Sequence, residues 1–422
     1  MSCEKSILLI GQFTDISGYG TAVRSYLKSL ASLHDSNQIN LQILNWSFET
    51  SSSISPREYE LIRRFSITDS LSPRSGHYTD QQLSSLKEFI ENDYEVVFFL
   101  LNDWIQFGHQ SSDLLYNQRV NLNHLCQQSK GVYPCVVWES DMVPKIWEDS
   151  YKTVEIKKLL CACEWNKETF SSLGYDSEVV PYGFDFIEDH DEEYYKNLLQ
   201  VLSGKFVFTS VFQWGSRKGI EKLIKAFQLE FVHDEDAYLV LKTYHSKHMT
   251  GQDETSFIKG KISEITSSLK HYGRTVKPKC KIVVINKILS LKQLNSLYKI
   301  TDVYATTTRG EGFGLPIVES LNYDNPVVAP TIGGHIDFLD KKSNLFIESS
   351  LEPVDGFDNS LWSSYEGNWV EASVNSTRKN LRKCYNLPKQ DLSLAGQKAG
   401  QFMRNYLSID RCNKIWQKVL EV

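Results

Sequence analysis

The sequence predicts an α/β fold with parallel sheets, and two observations lead to this. Short β-branched or apolar runs such as Ile7–Ile10 and Phe206–Val211 alternate with segments of helical periodicity such as Thr21–Leu33. The runs are continuously apolar, which is typical of parallel strands that helices cover on both faces. Two successive series of this kind indicate two similar halves, and a chain of 422 residues allows two or three domains at roughly 150 residues each.

The elements follow in order along the chain. The expected strands are Ile7–Ile10, Leu41–Trp46, Val96–Leu101, Val132–Trp138, Leu159–Cys163, Glu178–Pro181, Phe206–Val211, Tyr238–Thr243, Lys281–Ile285, Asp302–Thr306 and Val327–Ala329. The expected helices are Thr21–Leu33, Gln81–Asn92, Arg217–Phe227, Ser256–His271, Leu291–Tyr298, Leu315–Tyr323 and the C-terminal stretch Leu392–Val422. The halves are expected to meet just after Val179–Gly183, because the six acidic side chains of Asp185–Glu193 suit a solvated linker.

Composition excludes several classes of protein. A net charge of −6 argues against a nucleic-acid binder, since phosphate-backbone recognition needs clustered excess Lys and Arg. The longest apolar runs, such as Val96–Leu101, fall far short of the ~20 residues that span a bilayer. The N-terminal run Ile7–Ile10 is predicted to be a strand rather than a signal-peptide core, so we expect a cytoplasmic protein. The two cysteines nearest to each other in the sequence, Cys161 and Cys163, are interpreted as reduced thiols in the core.

The strongest chemical signal is the segment from Arg309 to Ser320, which follows a predicted strand and opens a helix. Gly312 and Gly314 allow the backbone to approach a ligand closely, and the helix start at Leu315 offers free N–H groups to an anion. Two carboxylates, Glu311 and Glu319, would repel a phosphate unless each bound another group, such as the hydroxyls of a sugar. The alternative is a capped glycine turn with exposed carboxylates.

These residues resemble the E-x7-E signature of retaining family 4 glycosyltransferases, with Gly312-Phe313-Gly314-Leu315 between the glutamates. The downstream segment Pro326–Gly334 also resembles that family's next strand and glycine loop. The resemblance implies the GT-B architecture, with two Rossmann-like domains whose parallel sheets face each other across a cleft. It further implies that Glu311 lies at the donor sugar, that the loop amides hold sugar and phosphate, and that Glu319 binds the ribose hydroxyls.

A basic pair, Arg217-Lys218, stands at the entrance of the predicted helix after Phe206–Val211. On their own, such residues are usually solvated. The pair resembles the family's diphosphate clamp, with Lys218 at the lysine position. Many members have an arginine five residues before that lysine, where this chain has Gln213, so Arg217 is expected to compensate.

The first half offers three more candidate segments, each at the C-terminal end of a predicted strand, where open α/β sheets bind ligands. The first βα loop carries Gly18, Tyr19 and Gly20, and the resemblance implies that it closes on the donor diphosphate; a plain tight turn is the alternative. Asp103 and Glu139 follow two later strands and are candidates for contact with a substrate, with helix capping or simple exposure as the alternatives. His335 is the one histidine expected near the cleft.

The resemblance divides the chain into an acceptor-side domain, residues 1–183, and a nucleotide-sugar-binding domain, residues 184–399, with the helix 400–422 packing back on the first. It implies retaining, front-face transfer from a GDP- or UDP-sugar to a glycan, lipid-linked, protein or other hydroxyl acceptor. By analogy with a subgroup of that family, the loop Gly18–Gly20 and the segment Asn102-Asp103 lean towards GDP-linked donors.

The sequence also bears on cofactors, alternative functions and partners. No Asp-x-Asp motif stands out, so no metal or other cofactor is expected. A non-catalytic sugar-nucleotide-binding module and a GT-B epimerase or phosphorylase are the alternative functions. The basic residues of Arg57–Arg64 and Lys145–Lys158 leave a peripheral contact with the cytoplasmic membrane face open, and the oligomeric state is not readable.

Overall fold

The computed structural model describes residues 5–15, 17–45, 54–67, 80–99, 122–144, 147, 151–152, 154–186, 188–234, 236–244, 252–271, 274–275, 277–355 and 367–422. Contacts between Cα atoms divide the chain into two compact units. The first unit comprises Met1–Trp138, Met142–Asp185 and Leu407–Val422. The second comprises Phe186–Tyr406 and a short segment from the first half of the chain, Glu139–Asp141.

The first unit is built on a parallel sheet of six strands in the order β2-β1-β3-β4-β5-β6. Its apolar strands are covered on both faces, and the four residues of Ile7–Ile10 are completely buried. The strands are β1 (Lys5–Gly11), β2 (Ile39–Asn45), β3 (Tyr94–Phe99), β4 (Val132–Val136), β5 (Leu159–Cys161) and β6 (Ser177–Val179).

Helices of the first unit connect these strands, and the last helix of the chain returns to pack beside them. Trp416 of that helix makes an edge contact with Tyr26, with ring centroids 5.1 Å apart, and the Tyr26 hydroxyl donates to the carbonyl of Val180. The helices are Gly18–Asp35, Pro56–Phe65, Asp80–Ile90, Leu122–Gln128, Glu164–Phe170 and Ile409–Leu420.

The second unit repeats this plan with a parallel sheet in the order β11-β8-β7-β12-β13-β14. Two short antiparallel pairs, β9 with β10 and β15 with β16, lie outside that sheet. The strands are β7 (Phe206–Gln213), β8 (Ala237–Tyr244), β9 (Lys270–His271), β10 (Arg274–Thr275), β11 (Lys281–Ile285), β12 (Val303–Ala305), β13 (Val327–Pro330), β14 (Leu345–Ile347), β15 (Ser349–Pro353) and β16 (Asn368–Ala372).

The core of the second unit forms where aromatic side chains of β7 and its following helix meet. Phe208, Phe227 and Phe231 are completely buried there and contact one another through their rings. The helices around the sheet are Glu192–Leu202, Ile220–Glu230, Gln252–Ser268, Leu291–Ile300, Leu315–Leu321, Val374–Asn386 and Lys389–Tyr406.

Two sequence predictions about these elements are wrong. The helix expected from Arg217 begins only at Ile220, because Ser216–Lys218 form a separate 3-10 turn that ends at Gly219. The C-terminal stretch is two helices rather than one, separated before the Ser408 cap, whose side chain accepts from the Arg411 backbone N–H. A capping serine inside a helical pattern indicates a new helix start, which apolar spacing alone does not reveal.

The acidic segment expected to be a solvated linker lies almost wholly within the second unit and is partly bonded into it. Asp191 caps the helix Glu192–Leu202 by accepting from the backbone N–H of Tyr194 at 2.9 Å. The Asp191 carbonyl accepts from the Ser296 hydroxyl at 2.9 Å, and the Asp189 carbonyl accepts from Asn295 at 2.7 Å. Acidic side chains favour helix N-termini because of the partial positive charge there, so part of this charge has a capping role.

The expectation of an α/β fold with two parallel sheets is confirmed by the two six-stranded sheets. Each has its strands joined by helices, as in Rossmann-like domains. Within the described ranges, no helix is both long enough and apolar enough to cross a membrane.

Candidate functional site

The glycine-rich loop after β12 leads directly into the helix Leu315–Leu321, as the sequence predicts. Gly314 precedes the helix with a φ of +100°, a left-handed conformation that favours glycine. Pro316 lies in the first turn, where its missing N–H leaves no donor unsatisfied. Phe313 is buried against Phe338, with ring centroids 5.2 Å apart, and so anchors the loop to the core.

Glu311 and Lys218 form an ion pair at the centre of the candidate site. Each side chain is 14% exposed, so both charges are largely removed from water yet reachable. Burial alone would raise the pKa of Glu311, but the nearby Lys218 and Arg217 charges outweigh it and hold this pKa below its ordinary value. Burial, together with the charge of Arg217, lowers the pKa of Lys218.

Arg217 extends this arrangement to a second carboxylate. Its Nη1 donates to the carbonyl of Gly310 at 2.6 Å and lies 3.6 Å from Oε1 of Glu139. Glu311, Lys218, Arg217 and Glu139 therefore form a row in which two cations stand between two carboxylates. We call these four residues the charge row.

Glu139 belongs to the second unit because its neighbours in the chain bond there. The carboxylate of Asp141 accepts from the backbone N–H of Asn368 at 2.6 Å and from its side-chain amide at 2.9 Å. The Ser140 hydroxyl donates to the Asn368 carbonyl at 2.6 Å. A Cβ at Gly310 would lie 2.3 Å from the carbonyl oxygen of Glu139, so only glycine allows this close approach.

The turn that carries the two cations is packed tightly against the strand end before the glycine loop. Gly219 closes the turn with a φ of +53°, and a Cβ there would lie 2.3 Å from the carbonyl oxygen of Thr307. The Thr307 hydroxyl donates to the Gly219 carbonyl at 2.8 Å. Lys218 thus precedes the helix Ile220–Glu230 instead of lying within its first turn.

Glu319 lies one turn inside the helix Leu315–Leu321 and is partly buried. The hydroxyl of the buried Tyr298 donates to its Oε2 at 2.8 Å. Burial raises the pKa of Glu319 to about 7, against the lowering effect of that hydrogen bond. A carboxyl with this pKa binds a proton readily unless another donor group approaches it.

His335 is completely buried directly behind the glycine loop. Its Nε2 is 2.9 Å from the carbonyl oxygen of Pro330, which requires a proton on Nε2. Burial lowers the pKa of His335, so the ring is neutral. The next residue back, Gly334, donates its N–H to the Glu311 carbonyl at 2.8 Å, which ties this segment to the loop.

The first βα loop of the first unit holds Gly18, Tyr19 and Gly20 at the start of a long helix. Ser17 caps this helix, and Arg24 donates to the carbonyl oxygens of Phe13 at 2.8 Å and Asp15 at 2.9 Å.

In the same loop, a Cβ at Gly20 would lie 2.1 Å from the Asp15 carbonyl oxygen, which explains the glycine there. Tyr19 makes an edge contact with Phe99, their ring centroids 6.3 Å apart.

The remaining sequence predictions fall outside the charge row. Asp103 lies outside the described residues. Gln213, at the position of the arginine common in the family, is an exposed residue at the end of β7. Cys161 and Cys163 are buried free thiols, and burial raises the pKa of Cys161 to about 12. In the part of the chain that the structure describes, no group of three or more His, Cys, Asp or Glu side chains could hold a metal ion.

Two residues that support the site, Tyr298 and Arg309, are not predictable from the motifs alone. Tyr298 lies in a helix that amphipathic spacing predicts, but nothing in the sequence pairs it with Glu319. Arg309 was recognised only as the start of the motif, although its partners Glu221 and Glu371 lie far away in the sequence. Charged residues flanking a motif are the only signal that could have pointed to Arg309.

The comparisons with known proteins agree with this architecture. Residues 192–353 match the family model of glycosyl transferases group 1. That range includes Arg217, Lys218, Glu311 and Glu319. None of the curated proteins compared with the sequence matches it.

Solved structures match nearly the whole chain at low identity. HepE from Anabaena in complex with UDP-glucose is 13% identical, with a TM-score of 0.58 over 99% of this chain and 100% of the other. A UDP-forming α,α-trehalose-phosphate synthase from Burkholderia xenovorans is 12% identical, with a TM-score of 0.61 over 99% of both chains.

A sucrose-phosphate synthase from Thermosynechococcus elongatus is likewise 12% identical, with a TM-score of 0.60 over 99% of this chain and 98% of the other. At such identities the likeness shows the fold alone. The chain therefore has the GT-B fold of two Rossmann-like domains, and its residues 192–353 match the glycosyl transferases group 1.

Proposed function

We propose that the protein is a retaining glycosyltransferase that moves a sugar from a nucleotide diphosphate donor to a hydroxyl group of an acceptor. The observation that carries this proposal is the charge row. Its two cations, Lys218 and Arg217, are partly exposed and paired with carboxylates, which an incoming anion would displace. A diphosphate is the anion that suits two adjacent cations, since each phosphate can replace one carboxylate.

Binding of a diphosphate would also release Glu311 from Lys218. The freed carboxylate then accepts hydrogen bonds from the hydroxyls of the donor sugar. Burial raises the pKa of Glu319 to about 7. Glu319 is suited to the ribose of the nucleotide, because two hydroxyl donors would stabilise its buried negative charge.

The reaction proposed for these groups is front-face transfer. The acceptor oxygen attacks the anomeric carbon on the face from which the diphosphate departs. The leaving diphosphate keeps the electron pair of the broken bond and takes the acceptor proton on its oxygen. Lys218 and Arg217 stabilise the negative charge that develops on the diphosphate, and Glu311 can stabilise positive charge on the sugar ring. No metal ion has a role in this scheme.

The donor is proposed to be a UDP- or GDP-sugar. The analogy with a subgroup of the family leans towards GDP, whereas two of the structural neighbours named above are a complex with UDP-glucose and a UDP-forming synthase, so both classes must be tested. The acceptor is proposed to be a glycan, a lipid-linked sugar or another hydroxyl compound, and nucleic acid is not among the proposed partners.

Mass-spectrometric donor hydrolysis by the purified protein tests the proposal. We expect nucleoside diphosphate and free sugar from at least one UDP- or GDP-hexose, equally with and without excess EDTA. Replacing Glu311 by Gln should lower the rate by about 10²–10³-fold, the usual effect of removing a charged group from a transition state. The matched control is Glu352→Gln, an exposed carboxylate of β15, which should act as wild type.

Three outcomes would overturn parts of the proposal. Nucleotide binding without any turnover would favour the non-catalytic sugar-nucleotide-binding module. Full activity of the Glu311→Gln variant would remove Glu311 from the site. Inversion of the anomeric configuration in the first-formed product, measured by NMR, would exclude the retaining mechanism.

A further inference from the structure

Arg309 makes several side-chain bonds next to the charge row, yet the proposed reaction gives it no role. Its side chain is only 13% exposed. The guanidinium lies over the ring of Trp369, with its central carbon 5.1 Å from the ring centroid. Its Nε donates to Glu371 at 2.7 Å, and its Nη2 bonds Glu221. The ring of Trp369 and the two carboxylates together hold the guanidinium in one orientation.

The third arm of the guanidinium reaches the turn that carries the two cations. Nη1 of Arg309 donates to the carbonyl oxygen of Ser216 at 2.6 Å. The backbone N–H of Arg309 donates to the carbonyl oxygen of Arg217 at 2.7 Å. Two successive peptide groups, one on each side of the Cα of Arg217, are therefore held by one residue.

The anchors of Arg309 belong to separate parts of the second unit. Glu371 lies on β16, where it also pairs with Lys222 at 2.5 Å. Glu221 lies in the first turn of the helix Ile220–Glu230. The Arg309 carbonyl accepts from the N–H of Val370 at 2.7 Å, so the backbone is held to β16 as well. Arg309 thus connects the turn, the helix after it and β16.

We propose that Arg309 is a positioning residue that holds Arg217 and Lys218 in the geometry needed to bind a diphosphate, an inference that rests on the function proposed above. The guanidinium suits this role because its planar fork can bind three partners at once, whereas a lysine ammonium has no fixed fork. Without Arg309, the turn Ser216–Gly219 loses a charged donor to one of its carbonyl groups. The two cations then sample several orientations, and binding must restrict them at a cost in affinity.

Arg382 provides a matched control, because it makes the same kinds of contact elsewhere in the second unit. Its guanidinium lies over the rings of Phe231 and Tyr385 and donates to Glu230 at 2.9 Å and to Asp234 at 2.8 Å. These partners tie the helix Val374–Asn386 to the end of the helix Ile220–Glu230. A variant at Arg382 therefore reports the structural cost of losing a stacked, doubly paired arginine.

The test compares nucleoside diphosphates with nucleoside monophosphates, because only the diphosphate presents a second phosphate to the pair. Dissociation constants for UDP, UMP, GDP and GMP are measured by titration calorimetry for wild type, Arg309→Gln, Arg309→Lys and Arg382→Gln. We expect Arg309→Gln to weaken diphosphate binding by about tenfold or more, corresponding to about 1.4 kcal/mol, with little change for the monophosphate.

Arg309→Lys keeps the charge and one bond to the turn, and should weaken diphosphate binding by a smaller factor. Arg382→Gln should keep the wild-type ratio of monophosphate to diphosphate dissociation constants, even where its melting temperature falls. If Arg309→Gln does not fold, the ratio for Arg309→Lys decides.

The positioning role would be overturned if the Arg309 variants kept the wild-type ratio of monophosphate to diphosphate dissociation constants. It would also be overturned if Arg382→Gln lowered this ratio as much as Arg309→Gln does. Failure of the wild type to prefer a diphosphate over the monophosphate would instead overturn the proposed function, so the two failures are distinguishable.

Discussion

A glycine loop follows a strand in each unit, and the two loops differ in what their neighbouring cations bind. In the first unit, the buried Arg24 donates to backbone carbonyl oxygens of Phe13 and Asp15. In the second unit, Lys218 and Arg217 face the side-chain carboxylates of Glu311 and Glu139. A cation bonded to the backbone of its own loop holds that loop in shape. A cation paired with a partly exposed side-chain carboxylate can exchange it for a ligand.

The energetic consequences of the two arrangements also differ. Burial lowers the pKa of Arg24, although the charges of Glu58 and Asp15 oppose this effect. Keeping the guanidinium charged in the fold therefore costs free energy of desolvation. Removing the guanidinium leaves buried carbonyl oxygens without a donor, which is costly. Replacing Glu311 by a phosphate leaves Lys218 with a charge-assisted hydrogen bond of similar strength. The first loop is therefore expected to control stability, and the second to control binding and turnover.

Among the variants that test this difference between the two loops, the largest effect is expected for Lys218, and it concerns the rate of turnover. Lys218→Gln should lower the rate of donor cleavage by about 10²–10³-fold, because it removes one charge that stabilises the departing diphosphate. The glutamine can still donate to Glu311, so the melting temperature should stay close to that of wild type. Rates from the mass-spectrometric assay and melting curves check both expectations.

The control for this prediction is Lys205→Gln, which removes a lysine of the same unit that pairs with Asp236 at 2.6 Å. It should leave turnover unchanged. Equal loss of activity in the two lysine variants would show that the effect reflects general damage to the second unit, and a fully active Lys218→Gln would exclude the diphosphate clamp.

A smaller effect, on folding, is expected in the first unit. Arg24→Gln should lower the free energy of unfolding by about 2–3 kcal/mol, because carbonyl oxygens of the loop lose a charged donor. Urea unfolding measures this change. Arg64→Gln removes an exposed arginine whose pair with Asp35 leaves both side chains 50% exposed, and should cost less than about 1 kcal/mol. Similar losses in the two variants would contradict a bracing role for Arg24.

Local pattern was sufficient to predict the six strands of the first sheet, five of the six strands of the second sheet, and the glycine loop with Pro316 in the first helical turn. The short strand β14 (Leu345–Ile347) was not predicted. Apolar runs encode strands, and glycine with proline encodes the loop, so these features need no knowledge of distant residues. The start of the helix at Ile220 was missed, because Gly219 ends the preceding turn in a left-handed conformation that the packing against Thr307 requires. A basic pair before an amphipathic run does not reveal that contact.

The partners within the candidate site were harder to predict than its motifs. Glu139 was predicted as a polar residue at the end of a strand. Its partner Arg217 lies far later in the sequence, beyond the predicted domain boundary, so the pairing could not be predicted. Arg309 likewise depends on Glu221 and Glu371, and Glu319 depends on Tyr298. Such contacts are set by tertiary packing, and a single sequence carries no signal for them.

The smallest expected effect concerns pH and separates Glu319 from Glu311. The pKa of Glu311 is held below its ordinary value by two cations, so it stays ionised across the neutral range. Burial raises the pKa of Glu319 to about 7, so it is partly protonated there. Hydroxyls of a ribose donate to the ionised form, and nucleotide binding should therefore release a proton. The affinity is then expected to rise as pH rises through about 7.

Between pH 6 and pH 8 the change should reach at most about tenfold, since one proton is released per nucleotide bound. Titration calorimetry with UDP and GDP in two buffers of different ionisation enthalpy measures both the affinity and the proton release. The nucleotide's own phosphate titrates in the same range, so the informative quantity is the difference between wild type and Glu319→Gln. The glutamine variant, which has no proton to lose, should bind more weakly at pH 8 and show a flatter profile. Identical profiles for the two proteins would mean that Glu319 does not receive the ribose, and would leave the hydrogen bond from Tyr298 as its only supported contact.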